Sequence, residues 1–437
     1  MTDMHLTATI HIKANDPRFG LLDEYAFKCK NLANTAIYIS RQVLFDFNTT
    51  PSAVELINNF TATNNPDYKA IPAKVAQQTV MQVHQSFKGF WESIKAYNKD
   101  PSKFTGRPRP PNYLDKAKGR ANIIFTKQAI SSKLIKQGIL SLSTYGEPIL
   151  IELGELAQKV NFDTLQQVKA VKRSNGYDIA ITYKQAIPTT LPISNRLLSL
   201  DLGVNNLATV TTNLNNLIPL IINGKVVKSI NQHFNKQKAK LQSAKDLLPK
   251  RSKGLSKFYQ DKHTFYQRQL DKLSQSRNHK INDYLHKASR YLINYAVTNH
   301  IDTIVIGNNN GWKQGIDIGR ANNQKFVSIP FARLIELIEY KAKLVGISVI
   351  KNEESYTSKC SFLDNEPIER HASYLGKRVK RGLFKSSTGQ LINADVNGSL
   401  NILRKVMGDF EFDPIRVCST PKVINVRHYV APAQNKS

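Results

Sequence analysis

Residues 197–212 read LLSLDLGVNNLATVTT, and they decide the fold of the C-terminal half of the chain. The apolar run that opens this stretch is typical of a buried strand, and it ends at a single carboxylate, Asp201. A turn at 204–206 follows, after which 207–212 is predicted to return as a second strand, with a third over 217–222. The stretch therefore predicts an antiparallel sheet with one acid at the end of its first strand.

Downstream of this hairpin, helices alternate with strands. The predicted elements are a long basic helical arm over 225–300, strands at 303–306 and 347–350, and helices over 331–345 and 394–406. Three antiparallel strands followed by alternating helices and strands form the succession of a ribonuclease-H-like domain, which is a mixed sheet with helices on its faces. We therefore expect an α/β domain of this kind over 191–437.

The N-terminal half combines a β domain with helices. Alternating residues over 5–13 and five short strand patterns between 123 and 183 predict a small β-barrel, while helical spacing over 23–47 and 73–97 predicts an inserted helical domain. Such an insertion is tolerable because the entropy cost of loop closure grows slowly with length. The expected boundaries are 1–18 and 103–190 for the β-barrel and 19–102 for the helical insertion.

The charge balance indicates a polyanionic partner. The 437 residues include 62 Lys and Arg against 33 Asp and Glu, a net charge of +29, and the 41% hydrophobic content is that of a folded protein. A cationic field attracts nucleic acid, since each Lys or Arg placed on a phosphate releases counterions. No apolar run approaches the ~20 residues that span a bilayer, so no membrane partner is expected. We expect a cytoplasmic, nucleoid-associated protein.

Two aspartates are candidates for metal chemistry. Two-metal hydrolysis of phosphodiesters needs converging carboxylates, because two dications about 3.5–4 Å apart must be neutralised, and magnesium prefers such oxygen ligands. Taken alone, Asp201 is more commonly explained as a turn-capping residue, and Asp395 is a good N-cap for its helix. Together, in this order of elements and in a strongly basic chain, they indicate a metal site.

Four motifs resemble the successive RuvC-nuclease motifs of the transposon-encoded TnpB (OrfB) family, the compact relatives of type V CRISPR effectors. They are SLDLGVNNLAT (199–209), HKASRYLINYAVTNHIDTIVIG (286–307), YTSKCS (356–361) and ADVNGSLNILRK (394–405). The N-terminal layout also matches, so the resemblance covers nearly the whole chain. It identifies the N-terminal β-barrel as a wedge domain, the helical insertion as a recognition domain and the C-terminal sheet as a RuvC domain.

The resemblance implies an RNA-guided DNA endonuclease that is encoded by an insertion sequence and associated with transposition. Its partners would be a guide RNA from the end of its own element and target double-stranded DNA, and its cofactor would be magnesium, as two ions, with manganese as an alternative. We expect one copy of the chain bound to its RNA. Base pairing would supply most of the sequence specificity, and the protein would read only a short flanking motif.

The middle catalytic residue departs from the family pattern. Carried over by position, Asp201 matches the first catalytic aspartate and Asp395 the last, but most relatives have a Glu where this chain has Gly307. Either the nuclease is inactive and the protein is an RNA-guided DNA-binding repressor, or the Glu is relocated to the motif at 353–359, as in a subset of the family. A transposase accessory protein is a further alternative.

Strand geometry favours relocation. Neighbouring strands are about 4.8 Å apart, so a Glu that follows the strand at 347–350 can reach the site. Adjacent residues of a strand face opposite ways, so only one of Glu353 and Glu354 should face the metals, and the register of the motif favours Glu354. The expected catalytic residues and metal ligands are therefore Asp201, Glu354 and Asp395.

The chain also departs from relatives that carry a four-cysteine zinc ribbon. Cys29, Cys360 and Cys418 are far apart in the sequence, and one thiol cannot hold zinc, so no zinc is expected. His371 is interpreted as a loop histidine. The zinc-free basic loop at 360–393 either replaces the ribbon near the nucleic acid or is flexible, and the sequence leaves both open.

Contacts to nucleic acid are expected from a Gln- and Lys-rich helix face, the proline-rich break after it, the basic arm and the YTSK motif. A solvated surface is the alternative for the helix face and the arm. The residues are Lys74, Gln77, Gln78, Gln82, Arg107, Arg109, Lys236, Lys240, Arg251, Arg268, Arg277, Thr357, Ser358 and Lys359.

Overall fold

The computed structural model of the protein describes residues 3–250, 254–308 and 328–430. The chain divides into two compact units, Thr2–Ala186 and Ile187–Ser437. Each unit has its own buried apolar core. Within the described ranges, no helix combines the length and the apolar character needed to cross a membrane.

The first unit contains two antiparallel sheets. The larger has the strand order β1-β6-β5-β2, and the smaller pairs β3 with β4. Their bounds are β1 Asp3–Lys13, β2 Ile123–Thr126, β3 Ile139–Leu142, β4 Ile149–Glu152, β5 Leu165–Arg173 and β6 Gly176–Ala186. All six strands expected from the sequence of this half are present. The alternation of β1 is also seen in its burial, because every second side chain from Met4 to Ile12 is less exposed than its neighbours.

Helices occupy most of the chain between β1 and β2. They are α1 Arg18–Phe47, α2 Ala53–Ala62, α3 Pro66–Lys69 and α4 Ala73–Lys99, and α5 Ser132–Lys136 follows β2. The short α2 was not predicted, although its capping box is visible in the sequence as Ser52 and Glu55. Helix α4 buries Val75, Val83 and Phe87, as its apolar spacing predicts.

The second unit is built on a six-stranded mixed sheet with the order β11-β10-β7-β8-β9-β15. The strands are β7 Leu197–Asp201, β8 Asn206–Thr212, β9 Leu220–Asn223, β10 Thr303–Gly307, β11 Ser348–Asn352 and β15 Lys422–Ile424. The first three form antiparallel hairpins, whereas β10 runs parallel to both β7 and β11. The pairing of β10 with β11 confirms the expectation from the sequence. Strand β15 was not predicted, since its three residues carry no clear pattern.

Helices cover both faces of this sheet. They are α6 Lys225–Asp246, α7 Lys257–Thr298, α8 Phe331–Lys343, α9 Ala394–Met407 and α10 Pro414–Cys418. Leu198, Leu200 and Ile304 belong to the core that includes α7 and α8, whereas Leu197 and Val305 pack with α9. Because side chains alternate along a strand, the last residues of β7 and β10 lie on the α9 side.

The basic segment 360–393, expected as a loop, contains regular secondary structure. It contains a three-stranded antiparallel sheet, β12 Lys377–Lys380, β13 Leu383–Lys385 and β14 Leu391–Asn393. Phe384 and Ile392 are buried there in one cluster with Phe362. Buried apolar residues on β13 and β14 therefore anchor a segment that is rich in Lys and Arg in the sequence.

Candidate active site

Asp201 is the last residue of β7, beside the end of β10. The register pairs Leu200 with Ile306, so the next residues, Asp201 and Gly307, are neighbours on the α9 side of the sheet. The Asp201 Oδ2 atom approaches α9 so closely that a Cβ atom on Gly398 would lie 2.9 Å from it. Burial, followed by the charges of Glu354 and Asp395, raises the pKa of Asp201 well above its usual range. The three expected ligands therefore lie close enough for their charges to interact.

Asp395 lies in the first turn of α9, where Asn393 is the N-cap. The Asn393 side chain accepts hydrogen bonds from the backbone of Asp395 and Val396, so the alternative that Asp395 itself caps the helix is wrong. Its carboxylate is held from two sides instead. Asn206 Nδ2 donates to Oδ2 at 2.6 Å, and Arg378 lies 3.4 Å from Oδ1.

Glu354 fills the space that a side chain at Gly307 would need. A Cβ atom built on Gly307 would overlap both the Oε1 and the Cγ of Glu354. Burial raises the pKa of this carboxyl to about 7. The neighbouring Glu353 is exposed, and its carboxylate accepts a hydrogen bond from Ser355. Of the two adjacent glutamates, Glu354 is thus the one that the fold brings to the Gly307 position.

Side-chain amides of α9 hold the chain that follows Glu354. Asn401 Nδ2 donates to the carbonyls of Thr357 and Cys360 at 2.9 and 2.8 Å, and Asn397 Nδ2 donates to that of Cys360 at 2.9 Å. The Thr357 hydroxyl in turn donates to the carbonyl of Glu354 at 2.8 Å. Tyr356 in this turn has φ 65°, a left-handed conformation that is costly for a bulky residue and needs support from its surroundings.

A buried hydroxyl cluster fixes α9 on the sheet. Ser199 Oγ lies 2.7 Å from Thr211 Oγ1 and 2.9 Å from Ser399 Oγ, and it donates to the Ser399 carbonyl at 2.7 Å. All three residues are buried. Because buried polar groups are costly when unpaired, this arrangement favours one position of α9 on the sheet. Asp201 and Asp395, each a short distance along its element from the cluster, are positioned together by it.

The donor set fits divalent cations in its chemistry, since all three side chains are carboxylates. Three carboxylates from β7, the turn after β11 and the start of α9 meet at one edge, and two glycines, Gly307 and Gly398, leave the room that the carboxylates occupy. Among the described residues, no three His, Cys, Asp or Glu side chains are placed so that they could hold one metal ion as they stand. Asp395 is instead paired with Asn206 and Arg378.

The residues expected to contact nucleic acid differ in their exposure. Lys74, Arg107, Arg109, Lys236, Lys240, Arg268, Ser358 and Lys359 are exposed, and Gln77, Gln78 and Gln82 are half-buried. Arg277 is also half-buried, and its guanidinium donates hydrogen bonds to Asn231 Oδ1 and to the Ser328 carbonyl. Thr357 is buried, so its side chain does not reach a surface. Arg251 lies outside the described residues.

Sequence reasoning missed the residues that position the carboxylates. Ser199, Asn397, Ser399 and Asn401 were not singled out. Their signal was present, since three of them are polar residues on the buried face of the otherwise apolar helix α9. A buried Asn or Ser needs a hydrogen-bond partner, and here the partners are a neighbouring strand and a neighbouring loop.

Comparisons with known proteins agree with the motifs. The family model OrfB IS605, described as a probable transposase, matches residues 180–313, and the model of a Cas12f1-like TNB domain matches 331–402. The TnpB-like protein ORF457 of Acidianus two-tailed virus is 25% identical over 228 residues, which are 52% of this chain and 45% of that protein. The resemblance to the TnpB family is thus confirmed.

A second curated relative is the CRISPR-associated endodeoxyribonuclease Cas12f2 of a Micrarchaeota archaeon. It is 31% identical over 142 residues, 31% of this chain and 26% of that protein. The chain therefore matches less than half the length of either curated relative.

Solved structures show the same fold. The Cas12f1–sgRNA–target DNA complex gives a TM-score of 0.52 at 14% identity, covering 87% of this chain and 81% of that chain. The mini RNA-guided endonuclease CRISPR-Cas_phi3 gives 0.54 at 11% identity, covering 93% of each. The chain thus has an α/β multidomain fold, with a mixed sheet, similar to that of Cas12 effectors. In sequence it resembles TnpB.

Proposed function

We propose that this protein is an RNA-guided DNA endonuclease of insertion-sequence origin, associated with transposition, whose second unit is a RuvC-type nuclease domain. The observation that carries the proposal is the convergence of Asp201, Glu354 and Asp395 on one edge of a sheet with a ribonuclease-H-like strand order. An inactive site would not need the space at Gly307 to be filled by a carboxylate. The sheets and helices of the first unit are interpreted as the wedge and recognition domains.

In this proposal Asp201, Glu354 and Asp395 would hold two magnesium ions, with manganese as an alternative and no zinc. Bound there, the ions would activate a water molecule and stabilise charge on the scissile phosphate. The residues of the chain do the positioning. Asn206 orients Asp395, and Asn401 and Thr357 fix the turn that carries Glu354. Exposed Lys and Arg of α6 and α7 would grip the backbones of a guide RNA and a target DNA.

Cleavage by the purified complex tests this function. The protein is purified with its co-expressed RNA, the RNA is sequenced, and a plasmid carrying the matching target is incubated with and without magnesium. We expect wild type to cut, and Asp201→Ala, Glu354→Gln and Asp395→Ala to bind the target without cutting it. Glu353→Gln is the matched control, because Glu353 is exposed one residue away and should leave cutting unchanged.

A nuclease-inactive, RNA-guided DNA-binding protein is the second candidate. It is favoured by the absence of a Glu at Gly307 and by the pairing of Asp395 with Arg378. Guided binding by wild type without any cutting, at every magnesium or manganese concentration tested, would establish it and overturn the nuclease.

A further inference from the structure

One end of the helical arm exposes large aromatic side chains. Phe258 and Phe265, near the start of α7, are 59% and 55% exposed, and Tyr259 beside Phe258 is 36% exposed. Two such rings on one helix face matter because contiguous exposed apolar surface, unlike single exposed residues, marks interaction sites. Phe258 packs edge-on against Tyr259, and Phe265 packs edge-on against Tyr266. Each exposed ring is thus braced by a neighbour.

The two phenylalanines form one stripe with basic residues. They are seven residues apart, two turns of helix, so they share a face and lie about 10 Å apart along the axis. Lys262 lies between them on the same face, with its Nζ 4.5 Å from the centre of the Phe258 ring. Exposed Arg268 and Lys272 continue the basic surface. We call Phe258, Lys262 and Phe265 the aromatic stripe.

The surrounding charge decides which partner fits the aromatic stripe. Helices α6 and α7 together contain fourteen Lys and Arg against four Asp. A second copy of the arm would bring two strongly cationic surfaces together, which like-charge repulsion opposes. A polyanion with flat apolar groups satisfies both features, since its phosphates pair with the cations while its rings stack on phenylalanine. Only unpaired bases offer their faces in this way, because a duplex hides them.

We propose that the aromatic stripe is a stacking platform for unpaired bases of a bound nucleic acid. The proposal rests on the proposed function only in assuming that the chain binds nucleic acid. It adds the place on the chain where nucleic acid binds and its unpaired form. The platform binds single-stranded segments of either RNA or DNA, because stacking on a ring does not distinguish ribose from deoxyribose. When a base stacks on the Phe258 ring, the Lys262 ammonium moves from that ring to the adjoining phosphate.

Binding by the full chain tests the platform. Wild type and the double variant Phe258→Leu/Phe265→Leu are titrated, without divalent ions, into a labelled single strand and into a duplex of the same length. Single-stranded RNA and DNA are run separately, and the salt concentration is raised until backbone contacts alone bind weakly. A 2-aminopurine base reports stacking through quenching of its fluorescence. Phe47→Leu is the matched control, since Phe47 is 73% exposed but lies on α1.

We expect the double variant to bind single strands at least roughly tenfold more weakly and to lose most of the quenching, because stacking on one ring is commonly worth that much. Duplex binding should stay within about twofold of wild type. The leucines keep the surface apolar, and an unchanged thermal midpoint shows that the arm is folded.

Three results would overturn the platform. One is equal weakening for single strands and duplex, and another is unchanged single-strand binding by the double variant. The third is a wild-type dimer that the leucine variants dissociate in sedimentation, which would make the stripe a contact between copies. Because no divalent ion is present, a chain that fails to cut DNA can still confirm the platform. A chain that cuts but ignores the leucine changes refutes the platform alone.

Discussion

The polar groups at the carboxylate edge of the sheet and those on the helical arm differ in their burial. At the edge, buried hydroxyls and amide nitrogens make hydrogen bonds, from the Ser199–Ser399 contact to the Nδ2 atoms of Asn397 and Asn401. On the arm, cations such as Lys236, Lys240 and Arg268 are exposed. Buried hydrogen-bond networks fix geometry, whereas exposed charges give long-range attraction that salt screens. The first region fixes the positions of its polar groups, whereas the second presents its charges to solvent.

The largest effect on the carboxylate edge is expected from adding one methyl group at its centre. Gly307→Ala places a methyl group against the Glu354 carboxylate and 2.6 Å from Ile402 Cδ1, so the carboxylate and the end of the Ile402 side chain must move. We expect guided cleavage to fall by about 100-fold, since displacing a catalytic group by about 1 Å commonly costs that much. Target binding should be unchanged. Rates are compared in single-turnover plasmid cleavage.

Gly89→Ala serves as the control for that change. Gly89 lies inside α4 with open space where its Cβ would be, so the same substitution should leave cleavage alone and stabilise the helix by roughly 0.5–1 kcal/mol. Equal cleavage by Gly307→Ala and wild type would show that Glu354 is free to retreat without consequence. In that case it would not be the third ligand.

Loosening the support behind Glu354 should have the next largest effect. Asn401→Ala removes the amide that holds the carbonyls of Thr357 and Cys360. We expect cleavage to fall 10- to 100-fold, as is usual for residues that orient metal ligands, with a higher magnesium concentration needed for half-maximal rate. The magnesium titration distinguishes positioning from general destabilisation. Asn278→Ala, on an exposed position of the arm, is the control and should change neither quantity.

A third prediction uses a positioned charge in the first unit. Burial opposes ionisation of Asp23, but hydrogen bonds from Arg120, Lys172 and Tyr177 outweigh it and lower the pKa of this carboxyl to about 2. A lowered pKa stabilises the fold fully above the ordinary value near 3.8, and the contribution is lost as the pH falls through about 2. We expect Asp23→Asn to destabilise the first unit by about 2 kcal/mol at neutral pH.

Urea unfolding at several pH values tests that prediction. The gap between wild type and Asp23→Asn should shrink from pH 4 to pH 2 as the wild-type carboxylate is protonated. A gap that stays constant over this range would mean that the ion pairs of Asp23 contribute nothing to stability and that its packing alone does.

The smallest effect concerns the arm and would show chiefly as a salt dependence. Changing Lys236, Lys240 and Arg268 together to Gln removes up to three phosphate contacts, so the slope of log affinity against log salt should become shallower by roughly 2 to 3. Asp201→Ala is the control and should keep the wild-type slope. An unchanged slope in the triple variant would remove these three cations from the nucleic-acid interface.

The fold of the second unit was largely predictable because its strands are buried and its helices strongly periodic. Strands β7, β8 and β10 and helix α9 lie within two residues of their expected bounds. The sheet at 377–393 and strand β15 were missed, since strands of three or four residues have too few positions to show alternation.

The candidate site was predictable in its carboxylates and less so in its support. Asp201 and Asp395 were visible as acids at element ends, and the pairing of β10 with β11 explains how Glu354 reaches Gly307. The hydroxyl cluster was not visible, because Ser199 and Ser399 are 200 residues apart and nothing in either neighbourhood specifies the other. Hydrogen bonds between distant segments are a property of the packed sheet and helix.

Glycine at 307 also has a consequence for how such a site can change by mutation. A side chain at 307 and the Glu354 carboxylate would occupy the same volume. An acid at 307 and an acid at 354 in this position therefore exclude each other. Passing from one placement to the other takes two substitutions. Either substitution made first leaves a site that is overfilled or one that lacks a carboxylate. The two arrangements are therefore separated by one intermediate in which this volume is either overfilled or without a carboxylate.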